Sequence, residues 1–145
     1  MRLSPLLILL CGIASCSNPD SDASLAIGPG IYYWKTSWQL SATDQVNLRQ
    51  AGINQLFLRL FDVDWNFNEG EAHPRGMLQL PDSLILDSAL TVTPVVFIVE
   101  RVFRQDVDVA DLADRIGRTI TGLSSQHPTL ARATRWQIDC DWTPT

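Results

Sequence analysis

The chain contains 145 residues with a formal net charge of −5, and 46% of its residues are hydrophobic. This length fits one small domain, and the apolar content is sufficient for a hydrophobic core. The acidic balance argues against nucleic acid or an anionic lipid surface as a partner. No cluster of Cys and His has the spacing of a zinc site, so we predict neither a metal nor another cofactor.

The N-terminal residues have the order of a secretory signal. Arg2 is followed by an almost wholly apolar run over residues 3–13. Because a transmembrane helix needs about 20 apolar residues, this run is too short to span a bilayer, but it fits the apolar centre of a signal peptide. Segment 13–16 (Ile-Ala-Ser-Cys) resembles a bacterial lipobox, whose cysteine is lipidated before cleavage. We expect residues 1–15 to be a lipoprotein signal peptide and Cys16 to be the lipidation site; an ordinary signal peptide with an incidental cysteine is the alternative.

A polar segment follows the predicted lipidation site. We expect residues 16–30 to consist of the lipidated cysteine and a flexible tether, because this stretch begins with polar residues that cannot pack into a core. Residues 31–145 form the predicted folded domain. The lipoprotein resemblance implies three acyl chains, and stable anchoring indeed requires more than one. Ser17 favours transfer beyond the inner membrane, so the expected location is the cell envelope, with a lipid anchor in the outer membrane. Cys140 would be the remaining cysteine, which leaves no internal disulfide.

The first predicted elements of the domain are a strand, a helix and a second strand. Residues 31–38 are rich in strand formers. The helix is predicted to begin after Ser41, where Asp44 completes a capping box, and to end at Gly52. Residues 53–65 predict the second strand.

The same order of elements continues after a long connection. Residues 66–81 are polar and contain glycines and a proline, which predicts a loop of the length often used for function. Residues 81–90 predict a short helix that starts at its proline. Residues 91–103 predict a third strand, apolar on both faces as in a parallel sheet covered by helices. Amphipathic spacing predicts a helix over residues 108–124, and residues 135–142 predict a fourth strand.

Alternating strands and helices predict an α/β fold with a parallel sheet. A complete TIM barrel needs about 250 residues, whereas this chain supplies four predicted strands. We favour the N-terminal half of a TIM-like (β/α) barrel, with a small open parallel sheet as the alternative. The half barrel is favoured because no glycine-rich turn marks the ligand site of an open sheet. In that case the chain is a fragment or a truncated gene product, and its missing partner is the C-terminal half of the barrel.

Polar residues gather where the predicted strands end, which is the catalytic edge of a TIM barrel. Paired carboxylates supply the acid and the nucleophile or base of glycoside hydrolysis, and exposed tryptophans stack on sugar rings. The candidate catalytic residues are Asp62, Asp64, Glu100, Asp139 and Asp141. The candidate ligand-binding residues are Lys35, Arg59, Trp65 and Trp142, with a carbohydrate as the expected ligand.

Two other interpretations of these residues stay open. The acids are either solvated strand ends or ion-pair partners of Lys35, Arg59 and Arg101. Alternatively, the four aspartates hold a divalent cation, since hard cations prefer clustered oxygens. Strict alternation along the second strand also places Arg59 and Asp62 on opposite faces, and a bulge near Phe61 would bring both to the interior.

Four segments resemble a family of bacterial lipoproteins, often of the Bacteroidetes type, with a glycoside-hydrolase-like barrel. They are residues 33–36 (Tyr-Trp-Lys-Thr), 59–65 (Arg-Leu-Phe-Asp-Val-Asp-Trp), 94–98 (Pro-Val-Val-Phe-Ile) and 137–142 (Gln-Ile-Asp-Cys-Asp-Trp). The likeness covers residues 31–142, and it implies a surface lipoprotein that hydrolyses glycans or is a fragment of one that does. Family members are longer, and the seventh strand, which supplies a catalytic acid in the commonest barrel hydrolases, has no counterpart here. A non-catalytic lipoprotein that binds a saccharide or a protein is therefore the alternative function.

Overall fold

The computed structural model describes residues 28–82 and 84–140. The predicted signal peptide, Cys16 and most of the predicted tether lie outside the described residues, as do Asp141 and Trp142. Within the described ranges, no helix combines the length and the apolar character that a membrane crossing requires.

The described part of the chain forms one sheet with helices packed against it. The strands are β1 (Gly30–Tyr33), β2 (Gln55–Asn66), β3 (Glu71–Arg75), β4 (Thr91–Ile98) and β5 (Gln137–Asp139), and the helices are α1 (Ala42–Gln50), α2 (Glu100–Phe103), α3 (Val109–Gln126) and α4 (Pro128–Ala131). β1, β2, β4 and β5 lie side by side in that order and pair in parallel, while β3 pairs antiparallel with the carboxyl half of β2. A mixed α/β fold with a small open sheet of mostly parallel strands is thereby confirmed.

Local sequence determines both ends of α1. Ser41 accepts a hydrogen bond at 3.1 Å from the Asp44 amide, and the Asp44 carboxylate accepts one at 2.9 Å from the Ser41 amide. This predicted capping box satisfies amides that the first helical turn leaves without intrahelical partners. The helix ends before Gly52, whose φ of +73° lies in the left-handed region that glycine adopts without a steric penalty.

Buried helix side chains pack on one face of the sheet, the covered face. Leu56, Leu58 and Val96 are fully buried there, and they belong to one apolar core with Ile116 and Ile120 of α3. Because these two helix residues are four positions apart, they lie on the same side of α3. Burial of one such side chain stabilises a fold by about 1.5–3 kcal/mol, so this layer supplies much of the stability.

The opposite face of the sheet, the open face, carries aromatic and charged side chains. Strand pairing places Tyr32 beside Phe57 and places Phe97 between Asp62 and Asp139. Residues paired across neighbouring strands point to the same side of a sheet, so all five share this face. The two faces of the sheet therefore differ in chemistry.

A bulge in β2 brings its charged residues to the open face. The register between β2 and β4 shifts between Arg59 and Phe61, which makes Leu60 the extra residue. Leu60 and Phe61 are both buried, whereas Arg59 and Asp62 contact each other as an ion pair. The bulge lies beside Phe61, where one was needed to bring Arg59 and Asp62 to the same face, and it resolves the conflict with strict alternation.

The prediction of one long connection over residues 66–81 is wrong. β2 continues to Asn66, and the chain turns through Gly70, whose φ is +68°, into β3. The sequence of β3 is Glu-Ala-His-Pro-Arg, which includes a proline and has few strand formers. Pairing with β2, rather than intrinsic propensity, therefore makes this segment a strand.

The predicted helix over residues 81–90 is also wrong in its described part. Its backbone forms turns, in which Leu84 donates to the Pro81 carbonyl at 3.0 Å and Leu90 donates to the Asp87 carbonyl at 2.9 Å. Leu84, Ile85 and Leu86 are consecutive in sequence, so these three do not make one face of a helix.

The predicted third strand is too long at its carboxyl end. β4 ends at Ile98, and α2 begins one residue later, after Val99. Glu100 and Arg101 therefore lie at the start of a short helix rather than at the end of a strand. The carboxyl edge of the sheet still lies next to them, because α2 follows β4 directly.

Candidate functional site

Asp64, near the carboxyl end of β2, is the buried acid of the predicted site. Its side chain is 6% exposed and accepts hydrogen bonds from Arg101 at 2.5 and 2.7 Å and from Arg75 at 2.9 Å. The Trp65 amide donates another at 2.8 Å. Both carboxylate oxygens are engaged, and the predicted pairing of a strand-end acid with Arg101 is confirmed.

These partners keep Asp64 ionised. Hydrogen bonds from Arg101 are the main cause that lowers the pKa of Asp64; burial opposes them, and the Trp65 amide, the charge of Arg101 and the Arg75 hydrogen bond lower the pKa further. The hydrogen bonds to Asp64 in turn raise the pKa of Arg101. A general acid must carry a proton near its working pH, so Asp64 does not suit that role. Its contacts suit the positioning of two arginines.

Arg59 and Asp62 form a second ion pair on the open face. Arg59 Nε donates to Asp62 Oδ1 at 2.5 Å and a second guanidinium nitrogen donates to Oδ2, so the pair is bidentate. Arg59 also donates to the Trp34 carbonyl at 3.0 Å, and its guanidinium carbon lies 6.0 Å from the centre of the Trp34 ring. A Cβ on Gly76 would lie 3.3 Å from Arg59 Nη2, and Gly76 has a φ of +58°. The pair therefore links β2 to the segment after β1, and glycine is the residue that fits beside it.

Four aromatic residues lie next to this ion pair, and we name them the aromatic row: Trp34, Tyr32, Phe57 and Phe97. The Trp34 and Tyr32 rings stack with centres 5.4 Å apart, and Tyr32 and Phe57 stack at 4.7 Å. Phe97 meets Trp34 edge to face at 6.2 Å. Gln137 donates to the Tyr32 hydroxyl at 2.5 Å. Trp34 is nevertheless 47% exposed and Tyr32 39% exposed, which leaves a patch of aromatic surface open to ligands.

A cleft of about 680 Å³ adjoins Asp64 at the carboxyl end of β2. It is lined by Trp65, Asn66, Phe67, Asn68, Glu69, His73, Arg75 and Arg101. Its volume is within the range of about 300–1,000 Å³ that is typical of small-ligand sites. The cleft contains the predicted residue Trp65 and both arginines that bind Asp64, so it belongs to the candidate site.

Glu69, Glu71 and His73 form a cluster that the sequence analysis missed. His73 Nε2 lies 2.6 Å from Glu69 Oε2 and 3.3 Å from Glu71 Oε1, and one ligand atom from each residue lies within 4.8 Å of the others. Imidazole and carboxylate groups bind zinc and similar cations, so these three residues could hold a metal. Glu71 also accepts a hydrogen bond from Arg115 at 3.1 Å, as expected of an ordinary ion-pair network. Glu71 and His73 are two residues apart in β3, which places them on one face of the strand, and this spacing is the signal that could have revealed that pair; Glu69 joins them from the turn before β3.

Of the predicted residues that the structure describes, Trp65 lines the cleft and Asp64 adjoins it, whereas the others, namely Arg59, Asp62, Lys35, Glu100 and Asp139, do not line it. Lys35 is exposed and donates to Gln39 at 2.5 Å. Glu100 accepts a hydrogen bond from Arg104 at 2.6 Å. Asp139 is half-buried at the end of β5. The two acids Glu100 and Asp139 therefore lie at or just after the carboxyl ends of their strands, but they are not gathered around one point with Asp64.

The interpretation as a cation site loses support at two of its four aspartates. Asp62 and Asp64 each direct both carboxylate oxygens at guanidinium groups, whereas an oxygen-bound cation needs those lone pairs. The interpretation as ion-pair partners is confirmed for these two residues. Asp139 lies on another strand, and Asp141 is outside the described residues.

Comparisons of the chain with protein-family models, with curated proteins and with solved structures find no match. The class that the fold and the site define is an α/β protein with arginine-bound acids along one parallel strand. On its open face, exposed aromatic rings accompany those acids.

Proposed function

We propose that this protein is a lipid-anchored envelope protein that binds a saccharide on the open face of its sheet. The observation that carries the proposal is the exposed aromatic row beside the Arg59–Asp62 pair. Aromatic rings pack against the apolar C–H faces of sugars, and neighbouring polar groups bind the hydroxyls. Ligand sites generally combine apolar surface with a few fixed polar groups in this way.

The position of the aromatic row supports ligand binding over a role in folding. The apolar side chains that the described helices bury belong to the core on the covered face. Trp34 and Tyr32 belong to the other face and stay partly exposed. The bidentate pair is already formed, so binding would order few side chains, and this lowers the entropic cost of association.

The test measures binding of the full-length protein to a panel of oligosaccharides by calorimetry. We expect Trp34→Ala to weaken binding at least about tenfold, because truncation of a central aromatic residue costs about 2 kcal/mol or more. Trp136→Ala is the matched control: Trp136 is 48% exposed but lies beside Ile120 and Leu130 on the other side of the sheet. Equal effects of the two substitutions, or no binding by the wild-type protein, would refute the proposal.

Glycan hydrolysis is the second candidate function, and the strand order favours it. Parallel strands that neighbour each other in sequence order are the arrangement of a TIM barrel, whose carboxyl edge carries the catalytic groups. On this proposal the described sheet is the front half of such a barrel, and Asp139 supplies one of the acids. Release of reducing ends by the full-length protein, lost at least about a hundredfold in Asp139→Asn, would support it. Unchanged turnover in that variant would remove Asp139 from the mechanism.

The lipid anchor is supported by the lipobox-like sequence that ends at Cys16. We expect the protein to fractionate with the outer membrane and to incorporate labelled fatty acid. Cys16→Ser should abolish the labelling and release the protein from the membrane fraction. A Cys16→Ser protein that is still acylated and membrane-bound would contradict the anchor.

A further inference from the structure

We propose that the cleft at the carboxyl end of β2 is a subsite for the anionic group of an acidic saccharide, held by Arg75 and Arg101. The anionic group is a carboxylate, as in a uronic acid, or a sulfate. The inference rests on the proposed saccharide-binding function and extends that site from the open face into the cleft.

Two guanidinium groups share one carboxylate at this place. Within residues 28–82 and 84–140, Asp64 is the acid that both Arg75 and Arg101 contact, so the three groups together carry a charge of about +1 at neutral pH. Arg101 uses Nε and Nη2 on Asp64, and Arg75 uses Nη1. A guanidinium has five N–H donors, so each arginine has donors left for a ligand.

Asp64 holds these arginines in place before a ligand arrives. Its carboxylate is 6% exposed, while the side chains of Arg75 and Arg101 are 68% and 49% exposed. The buried acid therefore holds one edge of the Arg101 guanidinium and one nitrogen of the Arg75 guanidinium, and the rest of each group remains accessible. Fixed, charge-assisted donors bind an anion better than mobile ones, because less side-chain entropy is lost on binding.

The other cleft residues suit the rest of a sugar. Trp65 and Phe67 offer aromatic surface, and Asn66 and Asn68 offer amide donors and acceptors along the wall. The cleft also includes Glu69, whose carboxylate lies within hydrogen-bond distance of His73 Nε2, at 2.6 Å. The cleft thus combines a cationic end with an amphipathic wall.

The cleft and the aromatic row lie along the same strand. Asp62, which joins the row through Arg59, and Asp64 are two residues apart, or about 7 Å at the rise of a β-strand. One oligosaccharide of a few units can therefore contact both places. Its neutral rings would lie on the open face, and its charged unit would lie in the cleft.

The negative net charge of the whole protein repels anions, so binding of an anion in the cleft must depend on the charges close to it. The chain has a formal net charge of −5, but charges more than about 8 Å apart are largely screened at physiological salt. A saccharide anion in the cleft meets the two arginines at contact distance, where screening is weak. Its binding should therefore weaken as salt rises, and binding of a neutral saccharide should not.

The test uses paired probes that differ in charge alone. Oligomers of galacturonic acid are compared with their methyl esters, and a sulfated galactan oligomer with its desulfated form, by calorimetry on the full-length protein. We expect at least one anionic probe to bind about tenfold more tightly than its neutral counterpart, and the two pairs distinguish carboxylate from sulfate. Arg75→Gln should remove most of this preference, because binding of the anionic probe should fall about tenfold more than binding of its neutral counterpart. Asp64 keeps its two bonds to Arg101 in that variant, so the fold should persist.

Two further variants test whether the preference for the anionic probe depends on the guanidinium group of Arg75. Arg75→Lys retains the charge without the planar fork and should restore part of the preference. Arg132→Gln removes an exposed arginine that follows α4 and should change nothing, because Arg132 lines a different cavity with Thr91 and Arg135.

The outcomes separate the two proposals. Equal binding of charged and neutral probes, lost in Trp34→Ala, refutes the anion subsite and keeps the saccharide function. A preference for the anionic probe that depends on Arg75 but not on Trp34 keeps the subsite and refutes the role of the aromatic row. No binding of any probe refutes both proposals, and a preference that survives in Arg75→Gln refutes the assignment to this cleft.

Discussion

The covered and open faces belong to the same strands but use their side chains differently. On the covered face, Leu58 and Phe61 are fully buried and pack with the helices. On the open face, Trp34 stays 47% exposed, and the charged residues of β2 form ion pairs. Alternation with one bulge sends the two kinds of residue to opposite sides of β2. Folding thus depends mainly on the covered face, which leaves the open face available for recognition.

The largest effect should come from a cavity on the covered face. Phe61→Ala removes a fully buried ring and should lower the free energy of unfolding by about 3–4 kcal/mol. Phe97→Ala makes the same change on the open face, where the ring is only partly buried, and should cost about half as much. Urea denaturation of both variants measures the difference. Equal losses would break the distinction between the two faces.

Asp64 should have the next largest effect, because it is a buried charge on the open face. Asp64→Asn leaves Arg75 and Arg101 without their carboxylate and should lower the free energy of unfolding by about 2 kcal/mol at pH 7. The pKa of Asp64 is lower in the folded state than its ordinary value. Its contribution is therefore fully present above about pH 4 and is lost as pH falls through the folded-state pKa. The difference between wild type and variant should shrink below about pH 4.

A surface acid provides the control for that experiment. Asp111 is 58% exposed and contacts Arg115, so Asp111→Asn should change stability by about 0.5 kcal/mol or less. An Asp64→Asn penalty that is equally small, or that does not change between pH 7 and pH 3, would show that Asp64 does not act as a buried anchor.

Local patterns were enough to predict much of this architecture. The capping box of Ser41 and Asp44 depends on neighbouring residues, so the sequence shows it directly. The sequence also shows that Arg59 and Asp62 cannot share a face under strict alternation, but it does not show whether a bulge is present; the pairing of β2 with β4 is what reveals it. Parallel pairing of the strands could be predicted from the alternation of strands and helices, because each of these elements is recognised from the pattern of a short segment.

The partners of Asp64 could not be predicted in full, because tertiary pairing creates them. Arg101 is 37 residues away in sequence, and its pairing was one of several open interpretations. Arg75 lies in β3, which has weak strand propensity and forms because β2 supplies hydrogen-bonding partners. A segment interpreted as a loop gives no reason to place Arg75 beside a particular acid. Residues whose role depends on such a strand remain hidden until the pairing is known.

The smallest expected effect concerns the Arg59–Asp62 pair, and it asks whether the open face is preorganised. A double-mutant cycle with Arg59→Gln and Asp62→Asn should give a coupling of about 1 kcal/mol, because the pair is bidentate and partly buried. The Arg49–Asp87 pair has an arginine that is 53% exposed, so its cycle should give about 0.3 kcal/mol, and added salt should reduce this further. Urea denaturation at two salt concentrations measures both. Similar couplings would mean that Arg59 and Asp62 behave as a surface pair, and the low entropic cost argued for saccharide binding beside Trp34 would then lack its basis.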